Sequence, residues 1–160
     1  MEALRQMFAG LGYSDIQTYI QSGNVIFRSE STDTKLLESS ISNKILQTFN
    51  CNVPVLVLSV DELKSALENN PFKKDFSKDP TFMHLTFLAE TPEGHLVEKI
   101  PSGNYLPDEF TISGRTVYLY CPNGYGNTKL SNTFFENKLK VKATTRNLRT
   151  ANELLKLAQI

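Results

Sequence analysis

At 160 residues the chain has room for one large domain or for two small ones sharing an interface. A hydrophobic fraction of 40% and a charged fraction of 21% exclude a disordered chain, and ten Phe with six Tyr can supply a sizeable core. Seventeen basic residues balance seventeen acidic ones, so bulk charge gives no reason to expect non-specific nucleic-acid or membrane binding.

The balance hides an asymmetry. Residues 1–120 carry ten Lys/Arg against fifteen Asp/Glu, and residues 121–160 carry seven against two, Glu136 and Glu153. A basic C-terminal end attracts an anion or is a solvated helical face, and charge patterning alone leaves both open. Cys51 and Cys121 belong to no metal-spaced cluster and read as small core residues beside apolar stretches, with a disulfide between them not expected. No apolar run approaches the roughly 20 residues that span a bilayer. The start, MEALRQMFAGLGY, reads as an amphipathic helix rather than a signal peptide, so the expected compartment is the cytoplasm.

In chain order, residues 2–11 place Leu4, Met7, Phe8 and Leu11 on one helical stripe, with Gly10 and Gly12 as terminators. IQTYIQSGNVIF forms two β-like runs around Ser22-Gly23-Asn24, a tight hairpin. Leu37, Ile41 and Ile45 predict a helix over 34–49. The β-branched run VPVLVLSV (53–60) predicts a buried strand, and Asp61 is expected to cap a short helix that ends near Asn69-Asn70-Pro71. PFKKDFSKDP (71–80) is polar and bounded by prolines, which gives halves at 1–72 and 81–160 with a linker at 73–80. FMHLTFLAE predicts a strand, Thr91-Pro92-Glu93 opens a short helix, and FTISGRTVYLY is a second hairpin turning at Ser113-Gly114. Helices are expected over 128–139 and 147–159, with KATTR as a short strand between them.

The two halves look alike. Ser22-Gly23 matches Ser113-Gly114 at an offset of 91 residues, and TKLLESSISNKI (34–45) matches TKLSNTFFENKL (128–139) at an offset of 94. A shared order of strand, turn, strand and helix predicts an α+β fold of two tandem ferredoxin-like halves with mainly antiparallel sheets. The second half opens with a strand near Phe82, whose first-half equivalent would precede Met1 by about nine residues on the hairpin offset. The first half is therefore expected to lack its opening strand.

TYIQSGNVIF (18–27), together with YGNTKLSNTFFENKL and ATTRNLRT (125–150), resembles the bacterial family catalogued as domain of unknown function 1697. The resemblance spans nearly the whole chain and implies a tandem α/β plait. It also implies an N-terminal strand with an Arg-Gly-x-Asn-Val-Gly-Gly segment, which this sequence does not contain, and Leu148 stands where the family often has Trp. No activity comes with the resemblance.

In PNGYGNTKLSN (122–132) two glycines precede an expected helix whose first turn holds Thr128, Lys129 and Ser131. Backbone N–H groups at such a start, with a lysine, make a generic anion site, although the Walker spacing is absent. The alternative is a simple turn with Thr128 as N-cap. In TTRNLRT (144–150), Arg146 and Arg149 share a face if the helix starts near Asn147, and arginine forks take phosphate or carboxylate at two points. The alternative makes Thr145 or Asn147 a cap. The resemblance covers Tyr125, Gly126, Lys129, Thr145, Arg146, Asn147 and Thr150, and also Gln21, Ser22 and Asn24 in the first hairpin.

The expected site is thus a basic-polar patch for a small anionic ligand: Lys129, Arg146, Asn147 and Arg149, assisted by Tyr125, Gly126, Ser131 and Thr145, with Gln21, Ser22 and Asn24 as further candidates. His84 and His95 have no nucleophile spaced to either, so no catalytic signature is found, and no metal site or cofactor is expected. An enzyme that uses the same patch to position an anionic substrate stays open as the alternative to a binding or regulatory module. Tyr118 and Tyr120 share one sheet face, which either stacks nucleic-acid bases or packs on a protein surface.

Overall fold

The computed structural model describes residues 2–19, 23–101 and 103–159. Among the described residues there are six α-helices and two antiparallel sheets, a mixed α+β architecture. The chain divides into two compact units, one of Met1–Leu63 with Glu153–Ile160 and one of Lys64–Asn152.

In the first unit, α1 (Glu2–Gly10) buries Met7 and Phe8. It stops where Gly12 turns to φ +89°, which only glycine adopts at little cost. Strands β1 (Ser14–Tyr19) and β2 (Asn24–Arg28) pair antiparallel, with Tyr19 opposite Asn24. Helix α2 (Thr34–Phe49) starts at Asp33, whose carboxylate accepts from the Lys35 and Leu36 N–H groups, and it ends at a left-handed Asn50. Met7, Phe8, Leu37, Ile41 and Val57 form the core, and Val25 and Phe27 pack against it from β2. The Phe27 ring stacks on Tyr13 at 4.6 Å and meets Phe8 edge-on at 5.3 Å.

The run 53–60 is not the strand expected from its β-branched residues. Val57 is buried as foreseen, yet residues 51–59 have no strand partner among the described residues. Backbone groups of the segment turn to side chains of α2 instead: Val57 N–H donates to Glu38 Oε1 (3.0 Å), and Ser42 Oγ donates to the Val53 carbonyl (3.1 Å). β-Propensity makes a strand only where a neighbour completes the ladder. Nor does Asp61 cap the next helix, α3 (Val60–Glu68). Ser59 does so, through a reciprocal pair in which Ser59 Oγ accepts from Glu62 N–H and Glu62 Oε1 accepts from Ser59 N–H.

The second unit carries a four-stranded sheet. Pro71–Lys74 and Pro80–Phe82 form single 3-10 turns capped by Asn70 and Asp79, with Phe72 buried. Strand β3 (Met83–Leu88) leads to the short helix α4 (Gly94–Glu98), whose N-cap position is Glu93, so Pro92 lies just outside the helix. Strands β4 (Glu109–Ser113) and β5 (Thr116–Tyr120) form the hairpin, turning at Gly114 with φ +57°. Helix α5 (Asn132–Leu139) precedes strand β6 (Ala143–Asn147), and α6 (Leu148–Ala158) follows at once. The strand order is β4-β5-β3-β6, all antiparallel, so the first strand of the unit lies between the third and the last.

Alternation gives this sheet two faces. Leu88, Val117, Leu119 and Cys121 face Phe135, Leu139 and Leu130 in one core. On the other face Tyr118 is buried and its hydroxyl donates to the Ala66 carbonyl at 2.8 Å. Tyr120 lies against Phe72 (6.4 Å) with Lys78 Nζ 4.9 Å over its ring. Both cysteines are free, but only Cys121 is a core residue. Cys51 is exposed in the irregular segment, because that segment forms no strand that would bury it.

Candidate functional site

The junction between β6 and α6 gathers most of the polar groups singled out in the sequence. Antiparallel pairing sets His84 opposite Asn147, Leu85 opposite Arg146, and Thr86 opposite Thr145. His84, Thr86, Thr145 and Asn147 thereby share the face toward α5, while Thr144 and Arg146 share the other.

On the α5 side a polar chain runs through the core. Thr86 and Thr145 hydroxyls lie 2.8 Å apart, Thr145 Oγ1 donates to Asn132 Oδ1 (2.9 Å), and Asn132 Nδ2 donates to the Ala143 carbonyl (3.0 Å). The Asn132 N–H donates to the Tyr125 hydroxyl (2.8 Å), and the Tyr125 ring stacks on His84 at 4.7 Å. Among the described residues His84 Nδ1 is buried with no hydrogen-bond partner, and burial pushes the imidazole pKa down, so the ring is neutral at neutral pH. This chain serves packing and orientation.

On the opposite face Arg146 stands half-buried. Its Nη1 donates to Thr144 Oγ1 (2.8 Å) and to the Thr145 carbonyl (2.9 Å), which fixes the guanidinium plane. Burial lowers its pKa, but arginine stays charged, so a cation is held here out of full solvent. Arg149 is exposed in the first turn of α6.

Several site expectations are corrected. Helix α5 begins at Asn132, not at Thr128: Ser131 is its N-cap and accepts from Phe134 N–H. Tyr125–Asn127 is a 3-10 turn, and the Thr128 hydroxyl donates to Asp108 Oδ2 (2.6 Å) while accepting from Leu130 N–H (3.1 Å) in the loop before the helix. Lys129 and Gly126 are therefore exposed loop residues rather than parts of a helix start. Arg146 and Arg149 do not share a helix face, because Arg146 belongs to β6. Asn147 is the cap of α6, accepting from Thr150 N–H at 2.8 Å, so its side chain is already engaged.

The structure joins Tyr125 and Thr145 through Asn132, with Ser131 alongside, and sets Arg146 on the other face. In the first unit, Asn24 is buried and its amide donates to the Tyr19 carbonyl (3.2 Å), a hairpin role. Gln21 and Ser22 lie outside the described residues. Sequence reasoning missed Thr86 and Asn132; the one available signal was a threonine at a buried position of an apolar strand. Among the described residues no cluster of three or more His, Cys, Asp or Glu could hold a metal, and no helix is long and apolar enough to cross a membrane.

The family described as a protein of unknown function (DUF1697) matches residues 1–118. The chain belongs to this family. The match includes the first hairpin, His84 and Thr86, and it ends before residues 125–150, on which part of the resemblance rests. Over the whole chain the fold is similar to that of a conserved bacterial protein from Streptococcus pneumoniae, at 20% identity, with a TM-score of 0.64 over 99% of this chain and 88% of that one. None of the curated proteins matches.

Proposed function

We propose that the chain is a cytoplasmic binding or regulatory module for a small phosphate- or carboxylate-bearing ligand, anchored on Arg146. The observation that carries this reading is the half-buried guanidinium, oriented by Thr144 Oγ1 and the Thr145 carbonyl at the start of α6. A planar guanidinium matches a carboxylate or phosphate edge at two points, and partial desolvation strengthens that attraction. Arg149 stands three residues on, and Lys129 adds to the basic character of residues 121–160. Tyr125, Ser131 and Thr145 act in support by fixing the start of α5 beside β6, and Asn147 by capping α6. Burial of Tyr118 against Ala66 speaks against base stacking on the tyrosine face. Two free cysteines accord with a reducing compartment.

The scaffold under this reading is a pair of ferredoxin-like halves. Its support is the order β3-α4-β4-β5-α5-β6 with β3 inside the sheet, set beside the shorter order α1-β1-β2-α2 of the first unit. Left-handed caps close α2 at Asn50 and α5 at Lys140 alike.

Thermal-shift measurements with inorganic phosphate, nucleotides and dicarboxylates test the binding reading on wild type, Arg146→Ala and Arg146→Lys. A ligand at 100 times its Kd adds about 2.7 kcal/mol of stability, enough to raise Tm by several degrees. That rise should vanish in Arg146→Ala and shrink in Arg146→Lys. Equal rises in all three proteins, or none in any, would sink the assignment.

A further inference from the structure

A cleft of about 720 Å³ lies wholly within the first unit, between one face of α1 and the start of β1. Glu2, Arg5 and Gln6 line it from the helix, and Tyr13, Asp15 and Gln17 from the other wall. Spacing of i, i+3 and i+4 puts the three helical residues on one side of α1. The volume falls in the range of small-molecule sites, about 300–1,000 Å³.

Its local backbone is unusual for a surface groove. The register of β1 against β2 shifts between Ser14 and Gln17, and Asp15 within that interval takes φ +49°, a left-handed conformation. A bulge of this kind re-aims side chains, and a non-glycine residue held left-handed costs free energy that the surroundings must offset. Arg28 Nε holds Asp15 Oδ2 at 2.8 Å and so fixes the carboxylate. Oδ1 of Asp15 has no hydrogen bond among the described residues, and Arg5 and Glu2 make no ion pair there. Tyr13 supplies a ring wall backed by Phe27, and burial raises its pKa, so the phenol keeps its proton as a donor.

The lining thus offers one guanidinium, two carboxylates and two amides in one space. Arg28 already pairs with one oxygen of Asp15, so a ligand meets the Arg5 guanidinium, the Glu2 carboxylate and the open Oδ1 edge of Asp15. An anion alone would meet the carboxylate oxygens, and a cation alone would meet Arg5. A molecule carrying both charges satisfies all three. We propose that this cleft binds a small zwitterion of amino-acid or dipeptide size, its carboxylate on Arg5 and its ammonium between Glu2 and Asp15.

The test is a nitrogen–proton NMR titration of the full chain with the twenty L-amino acids and glycylglycine, beside acetate and methylammonium as singly charged controls. At least one zwitterion should shift α1 and β1 amides saturably at millimolar concentration, and neither control should. Arg5→Gln and Asp15→Asn should each weaken that binding tenfold or more. Asparagine tolerates positive φ, so the second variant keeps the bulge. Both side chains are exposed, and circular dichroism reports whether the folds persist. No saturable shift with any zwitterion, equal shifts with acetate, or unchanged affinity in both variants overturns the proposal.

Discussion

The polar chain through the second unit has a direction, and the direction is measurable. An amide oxygen only accepts, so the single proton of Thr145 is committed to Asn132 Oδ1, and Thr86 must be the donor in its 2.8 Å contact with Thr145. Thr86→Val therefore removes one neutral hydrogen bond and leaves Thr145 on Asn132, at a cost of about 0.5–1.5 kcal/mol. Thr145→Val is different: it strands the fully buried Thr86 hydroxyl and also Asn132 Oδ1. Stranding the buried Thr86 hydroxyl costs about 1–3 kcal/mol, and the half-buried Asn132 Oδ1 adds a smaller loss. Adding Thr86→Val to Thr145→Val removes one of them, so the double variant should be no less stable than Thr145→Val alone. Urea unfolding at pH 7.5 gives the three differences, read as midpoint shifts at constant slope. A larger loss for Thr86→Val than for Thr145→Val, or a double variant equal to the sum of the singles, would refute the direction.

Two further outcomes follow from the same region. His84 is neutral in the fold because burial lowers its pKa from the ordinary 6.5. The unfolded chain then binds a proton first, so this contribution to stability is complete above pH 6.5 and is lost as pH falls toward the lower folded value. Urea midpoints of His84→Phe, which keeps a ring against Tyr125, should show a weaker decline between pH 7.5 and 5 than wild type; an identical decline removes His84 as the cause. Asn147→Ala deletes the cap of α6 and should cost about 1 kcal/mol in the same assay, whereas a change within error would mean that Thr150 N–H finds another acceptor.

Much of the fold was legible in the sequence because local and long-range preferences agreed. The stripe Leu37, Ile41, Ile45 and the cap at Asp33 both specify α2, and its observed span, Thr34–Phe49, is the predicted one. Hairpin positions were readable from glycine, since Gly114 and Gly23 both take the positive φ that such turns need. Residues 53–60 failed for the opposite reason: their strand propensity is real, but a strand is a property of a pair, and the partner is not written in the segment. The start of α5 was misplaced because two hydroxyls could cap it: Thr128 Oγ1 accepts from Leu130 N–H in the preceding loop, and Ser131 Oγ accepts from Phe134 N–H at the true start. In the candidate site, residue types were readable and faces were not. Arg146 and Asn147 are neighbours in sequence, yet alternation along β6 sends one to each side of the sheet.

An anion held at Arg146 perturbs that side chain first, so the guanidinium itself reports the binding. Nitrogen–proton spectra of the arginine Nε–H groups, recorded during a phosphate titration at low salt, follow each guanidinium separately. Binding at Arg146 predicts a saturable shift of its Nε–H resonance, with a smaller one at Arg149 and none at Arg115. Uniform, non-saturating drift of all arginine resonances, or saturation at other arginines while Arg146 stays fixed, would contradict it.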